Sequence, residues 1–88
     1  MVRPRHLPDA RRVTVYIARD CSLCGPALDV VRGVQAELAF ELDVVDITGD
    51  PALELAYRKR LPVVDIDGES RFTYFVDAAA LRAALAIA

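Results

Sequence analysis

The sequence predicts an α/β domain with the element order β-α-β-α-β-β-α, a mixed sheet covered by helices. Three observations lead there. From Val13 onward, β-branched and aromatic runs alternate with amphipathic or alanine-rich runs, as strands and helices do in turn. The first two strand-like runs are joined by a single helical run, which makes them a parallel pair. The last two flank Asp67-Gly68, a two-residue turn whose backbone twist suits an antiparallel hairpin.

Each element has its own justification. "VTVYIA" (13–18) has the composition of a buried strand. Ala27, Val30, Val31, Val34 and Leu38 then recur at three- and four-residue spacing, with Asp29, Arg32 and Glu37 on the other side, which predicts an amphipathic helix. "FELDVVDI" (40–47) is the second strand. Asp50 followed by Pro51 is a helix start, an N-cap with proline at the first helical position. That helix, about 51–60, ends in Arg58-Lys59-Arg60, positive charge at the negative end of the helix dipole. "PVVDI" (62–66) and "ESRFTYF" (69–75) form the hairpin. Asp77 caps a final helix that turns Leu81, Leu85 and Ala78 inward.

At 88 residues the chain has room for one domain and not two. It is 55% hydrophobic and 27% charged, enough apolar surface for a core. Residues 1–11 carry Pro4 and Pro8 and no apolar periodicity, so they are expected to be a flexible basic arm ahead of a domain at 12–88. The net charge of −2 gives no broad attraction to nucleic acid or an anionic membrane. No run of about 20 apolar residues is present to span a bilayer, and no apolar stretch follows the basic N-terminus as a secretory signal would. A cytoplasmic location is therefore expected, where stable structural disulfides are uncommon.

Against that background "RDCSLCGPAL" (19–28) stands out, because it holds both cysteines of the chain, Cys21 and Cys24. The first strand has ended at Cys21 and the helix is expected to begin there, with Cys24 one turn in. Unpaired N–H groups at a helix start favour an anion, so the Cys21 thiol is expected to ionise readily and act as a nucleophile. Cys24 is close enough to resolve the mixed disulfide that follows. Three other readings compete. The pair is half of a zinc site, which needs about four ligands, while the one histidine, His6, lies in the arm. The thiols are buried apolar fillers. Or the scaffold is a binding module without turnover. A C-x-x-C beside a βαβ pattern favours redox chemistry.

Four marks in order make the chain resemble glutaredoxin-like proteins of the thioredoxin fold, especially a group of short bacterial members. They are strand one followed by "CSLC"; "LDVVDI" with "DP" opening a helix; "RLPVVDIDG"; and the closing "DAAALRAAL". The resemblance runs from about Val13 to Ala86. It implies a thioredoxin-like fold with a four-stranded mixed sheet in the order 2-1-3-4, Cys21 attacking and Cys24 resolving. It also implies a cis Leu61-Pro62 peptide facing the pair, with Leu61 and Pro62 contacting an extended substrate. From the residues alone, Pro62 reads as an ordinary trans proline opening a strand.

Two neighbours bear on the thiolate. Asp20 is a carboxylate beside Cys21 and disfavours an anion there, which Arg19 or Arg60 is expected to offset. Gly25-Pro26 break the helix pattern just after Cys24, so the first turn is expected to be kinked or to start late. Tyr16, Tyr57 and Tyr74 are read as core or rim aromatics, and Asp46 and Asp65 as solvated or hydrogen-bonded turn residues. Glutathione-using members of the family place a glycine pair just before the final helix. Here that stretch reads "FTYFVD", so Tyr74 and Phe75 are expected to narrow the groove and Asp77 to oppose an anionic carboxylate.

The functional expectation is a thiol–disulfide oxidoreductase that reduces a disulfide-containing protein or a low-molecular-weight thiol's disulfide. Electrons would come from a reductase or a thiol donor, with no metal or organic cofactor built in. The alternative is a thioredoxin-fold interaction module with little or no turnover.

Overall fold

The computed structural model describes residues 11–86, and the arm expected over 1–11, with His6, lies outside them except for Arg11. Strand β1 (Arg12–Ile17) is followed by helix α1 (Cys24–Glu37), β2 (Glu41–Asp46), α2 (Pro51–Tyr57), a 3-10 turn (Arg58–Arg60), β3 (Val63–Ile66), β4 (Glu69–Thr73) and α3 (Ala78–Ala86). The sheet order is β2-β1-β3-β4, with β1 parallel to β2 and antiparallel to β3. This is the mixed four-stranded sheet expected from the sequence, in the order the resemblance implies.

The local signals work as their chemistry requires. The Asp50 carboxylate accepts from the N–H groups of Ala52 and Leu53, each at 3.1 Å, and Pro51 fills the first helical position. Asp67 and Gly68 both lie at positive φ, the geometry a two-residue hairpin demands. The Asp77 carboxylate accepts from the Ala80 N–H at 2.9 Å and starts α3.

Two elements end earlier than expected. The α-helix of α2 stops at Tyr57 and tightens into the 3-10 turn, because the residue before Pro62 must be extended, as Leu61 is at φ −66°, ψ 144°. Strand β4 stops at Thr73 because Tyr74 turns to φ 67°, outside the strand region.

Helices cover both faces. Alternate residues of β1 and β3 (Val13, Val15, Val64, Ile66) meet Val31 and Val34 of α1 and Leu81 and Ala84 of α3 in one aliphatic core. Between those helices, Arg82 and Glu37 form a bidentate ion pair. Leu38, expected on the inward stripe, is the residue after α1 and is exposed. On the other face, α2 lays Tyr57 on Tyr16, with ring centroids 4.0 Å apart. Asp65 also belongs to that face and corrects its sequence reading as a turn residue. It sits within β3, 8% exposed, where the Ser70 hydroxyl bonds it at 2.9 Å across a bulge in the β3–β4 register. Asp46 is the turn residue expected, accepting from the Thr48 N–H.

Candidate active site

The site is built where β1 leaves the sheet. After Ile17 the chain turns, with the Cys21 N–H bonded to the Ala18 carbonyl (3.3 Å) and the Cys24 N–H to the Cys21 carbonyl (3.4 Å). Cys21 and Cys24 are joined as a disulfide, their Cα atoms 5.5 Å apart. Cys24 is 4% exposed and packs with Ala18, Ile47 and Leu61, whereas Cys21 is half-buried at the edge of that cluster.

Helix α1 begins at Cys24 and not at Cys21, which corrects the expected placement one turn back. The cause is the sequence that follows. The first i→i−4 bond of the helix runs from the Ala27 N–H to the Leu23 carbonyl, so Pro26 falls in the one turn where a missing N–H costs nothing. No side chain caps the helix at Leu23. The late start anticipated from Gly25-Pro26 is thus present. Cys21 stands upstream of the helix in a turn, facing a first turn that lacks one of its usual donors.

Beside Cys21 lies a cleft of about 290 Å³ lined by Asp20, Cys21, Ser22, Leu23, Arg58, Leu61 and Tyr74. Cys24 does not line it. The Leu61-Pro62 bond is cis. Leu61 reaches the cleft, while Pro62 is buried behind it and its carbonyl accepts from the Tyr74 N–H at 3.0 Å. Cys21 and Leu61 are therefore brought together with Cys24 packed beneath them, while Pro62 is buried and does not line the cleft. A second hollow of about 220 Å³, lined almost wholly by apolar groups, adjoins it and shares Leu23 and Tyr74. Tyr74 stands between the two, its hydroxyl donating to the Lys59 carbonyl at 2.9 Å. Phe75, on the wall of the second hollow, is 75% exposed. These two aromatics stay outside the core.

The charge beside Cys21 is arranged differently from expectation. Arg58 offsets Asp20, not Arg19 or Arg60. Its Nη1 lies 2.6 Å from Asp20 Oδ1, and Nε and Nη2 bond Glu54 Oε1. Hydrogen bonding to Arg58 holds the Asp20 carboxyl below its ordinary range, and bonds from the Gly49 N–H and then Arg58 do the same for Glu54. Arg60 instead donates to the Ala56 carbonyl and lies over the Tyr57 ring, 5.6 Å from its centroid. The backbone N–H of Arg19 meets the Thr48 hydroxyl. Sequence reasoning read the Arg58-Lys59-Arg60 cluster as a helix terminus first and an anion contact second, and did not pair Arg58 with Asp20. The available signal was a basic run directly before Leu61-Pro62, the segment that must face the cysteines.

Tyr16 and Tyr57 pack against the cysteine cluster from behind. Hydrogen bonding to Tyr57, with burial second, pushes the Tyr16 phenol up to about 12. Among the described residues, no group of three or more His, Cys, Asp or Glu is gathered to hold a metal ion, so the pair by itself offers two ligands. No helix among them is long and apolar enough to cross a membrane.

Residues 12–86 match the family described as "Glutaredoxin-like domain (DUF836)". Uncharacterised proteins of Mycobacterium bovis and Mycobacterium tuberculosis are each 32% identical over 80 residues, which is 85% of this chain and 82% of theirs. A solution structure of a protein from Nitrosomonas europaea is similar at TM-score 0.74 and 30% identity, covering 88% of this chain and 93% of that one. An X-ray structure of a protein from X. campestris is similar at TM-score 0.69 and 38% identity, covering 86% and 97%. A thioredoxin from Fasciola hepatica shares the fold, with TM-score 0.63 at 18% identity over 88% of this chain and 79% of its own.

Proposed function

We propose, from the premise that the chain belongs to the glutaredoxin-like domain family, that it is a thiol–disulfide oxidoreductase working through Cys21 and Cys24. The observation that supports this most is the asymmetry of the pair. One sulfur borders an open cleft and its partner is buried within bonding reach. A nucleophile needs access, and a resolving thiol needs protection from everything except that nucleophile.

In the reduced protein the Cys21 thiolate attacks one sulfur of a substrate disulfide. A Cys21–substrate S–S bond forms, the substrate S–S bond breaks, and the departing sulfur leaves as a thiolate that takes a proton from solvent. Cys24 then loses its proton and attacks Cys21 Sγ, releasing the second substrate thiol. Two electrons have passed to the substrate and the Cys21–Cys24 disulfide remains, the bond described above. A reductase or a low-molecular-weight thiol returns the electrons. Leu61, with cis-Pro62 behind it, serves as the wall against which the substrate chain lies. We place this chemistry in a reducing, cytoplasmic setting.

The apolar second hollow and the Tyr74 partition favour a disulfide-containing polypeptide over a small anionic thiol. A second reading, an interaction module with little turnover, draws on Pro26 and Asp20, which both work against an anion at Cys21.

The test is reduction of insulin disulfides by the prereduced protein, with Cys21→Ser and Cys24→Ser beside it. Loss of activity in Cys21→Ser, and a mixed disulfide trapped by Cys24→Ser and seen by intact mass, are expected. A parent protein no faster than free cysteine favours the interaction module. In a glutathione-coupled assay the parent is expected to turn over weakly and Tyr74→Gly faster. Strong parental activity unchanged by Tyr74→Gly removes the partition argument.

A further inference from the structure

Asp20 puts a carboxylate next to Cys21, where any negative charge opposes the thiolate. Around the cleft the charged and titratable groups come from a few places. The loop after β1 brings Asp20 itself, α2 and its 3-10 turn bring Glu54 and Arg58, and the segment before α3 brings Tyr74. Tyr16 and Tyr57 lie behind, the Arg60 guanidinium rests on Tyr57, and both Arg19 and Arg58 act on the Asp46 carboxylate. Of the residues lining the cleft, Asp20 and Arg58 alone carry formal charge, and they are bonded to each other.

Arg58 is also held in place before it reaches Asp20. Two of its nitrogens bond Glu54 Oε1 one turn back, and the other Glu54 oxygen accepts from the Gly49 N–H at 3.0 Å. The guanidinium is thereby aimed at the loop by its own helix and by the turn that opens that helix. An exposed ion pair adds little to stability. This one has a different use.

We infer that Arg58 is a positioning residue of the redox site, one that cancels the charge of Asp20 so that Cys21 can carry a negative charge. Arg58 acts through Asp20, the partner its guanidinium bonds in the cleft. The inference rests on Cys21 being the attacking thiol, and it accounts for how the site tolerates a carboxylate at that place. Removing one unit charge several ångströms from the sulfur, in a solvent-open cleft, moves an ionisation midpoint by about half to one pH unit.

The experiment measures the alkylation rate of Cys21 with iodoacetamide against pH in the full chain carrying Cys24→Ser, where Cys21 is the single thiol. In this background Arg58→Gln is expected to raise the midpoint by about half to one unit, slowing reaction about three- to ten-fold at neutral pH. Asp20→Asn is expected to lower the midpoint, and the double variant to return near the parent. Arg58→Lys keeps the charge and is expected to stay near the parent, and about 0.5 M salt is expected to shrink every shift. An unmoved midpoint in Arg58→Gln overturns the inference, as does an Arg58→Lys shift as large as that of Arg58→Gln. If Arg58 variants do not fold, Asp20→Asn decides alone, since its side chain is 75% exposed and an unmoved midpoint there is equally fatal. Alkylation reads the thiolate whether or not any disulfide is turned over. A moved midpoint with no insulin reduction therefore separates this inference from the proposed function.

Discussion

The two faces of the sheet are covered by different means. Under α1 and α3 the buried cluster is aliphatic, Val13, Val15, Val31, Val34, Val64, Ile66, Leu81 and Ala84, with Phe40 and Phe72 among the apolar groups packed against it and no polar side chain among them. Under α2 the cluster is small, and it includes Cys24, a stacked tyrosine pair and, farther along β3, a buried carboxylate. The first face carries packing alone. The second gives up part of its apolar contact so that one sulfur stays reachable and its surroundings stay polar. In a domain this small, the aliphatic packing and the cysteine loop are assigned to opposite sides of one sheet.

The largest expected break in that comparison is Leu81→Ala, which empties the centre of the aliphatic face. A loss of about 2–5 kcal/mol in urea unfolding is expected, with the Cys21 alkylation profile unchanged while the protein remains folded. A shifted profile in the folded variant would show that the faces are not independent.

A smaller effect belongs to the tyrosine face and appears only in base. Tyr16 ionises near 12 when folded against an ordinary value of 10.0, so the folded state holds its proton more tightly. Its contribution is fully present below pH 10 and is lost as pH rises toward about 12. Thermal unfolding is expected to fall across that window in the parent and less in Tyr16→Phe. An equal fall in both, or a spectroscopic titration in which every tyrosine ionises near 10, removes the effect.

The smallest returns to α1. Gly33 is mid-helix and exposed, and a Cβ there would meet nothing within 4 Å. Gly33→Ala is expected to stabilise by about 0.5–1 kcal/mol without changing Cys21 reactivity.

What could be read beforehand depended on how far apart the deciding residues lie. Asp50-Pro51, Asp67-Gly68 and Asp77 each act on neighbours within four residues, and each behaves as its local chemistry dictates. The composition of β1 marked it as a buried strand without telling which of its residues face which helices. The helix start at Cys24 was foreshadowed by Pro26 but not positioned by it, since a proline is tolerated anywhere in a first turn. Cis Leu61-Pro62 followed from family resemblance, not from residue preference. Arg58 meets Asp20 across 38 residues, and Asp65 is buried because of which face it shares, so no local pattern reveals either.

Arg11 has a consequence for handling the molecule. Its Nε bonds Asp67 in the hairpin and its Nη1 bonds the Leu85 carbonyl near the end of α3, so the two ends of the described chain meet at one pole. Strand β1 runs from that pole to the cysteine loop, a rise of roughly 20 Å over its length. A tag, fluorophore or fused domain joined directly at Arg11 or Ala86 enters on the far side from Cys21 and leaves the approach to the sulfur clear.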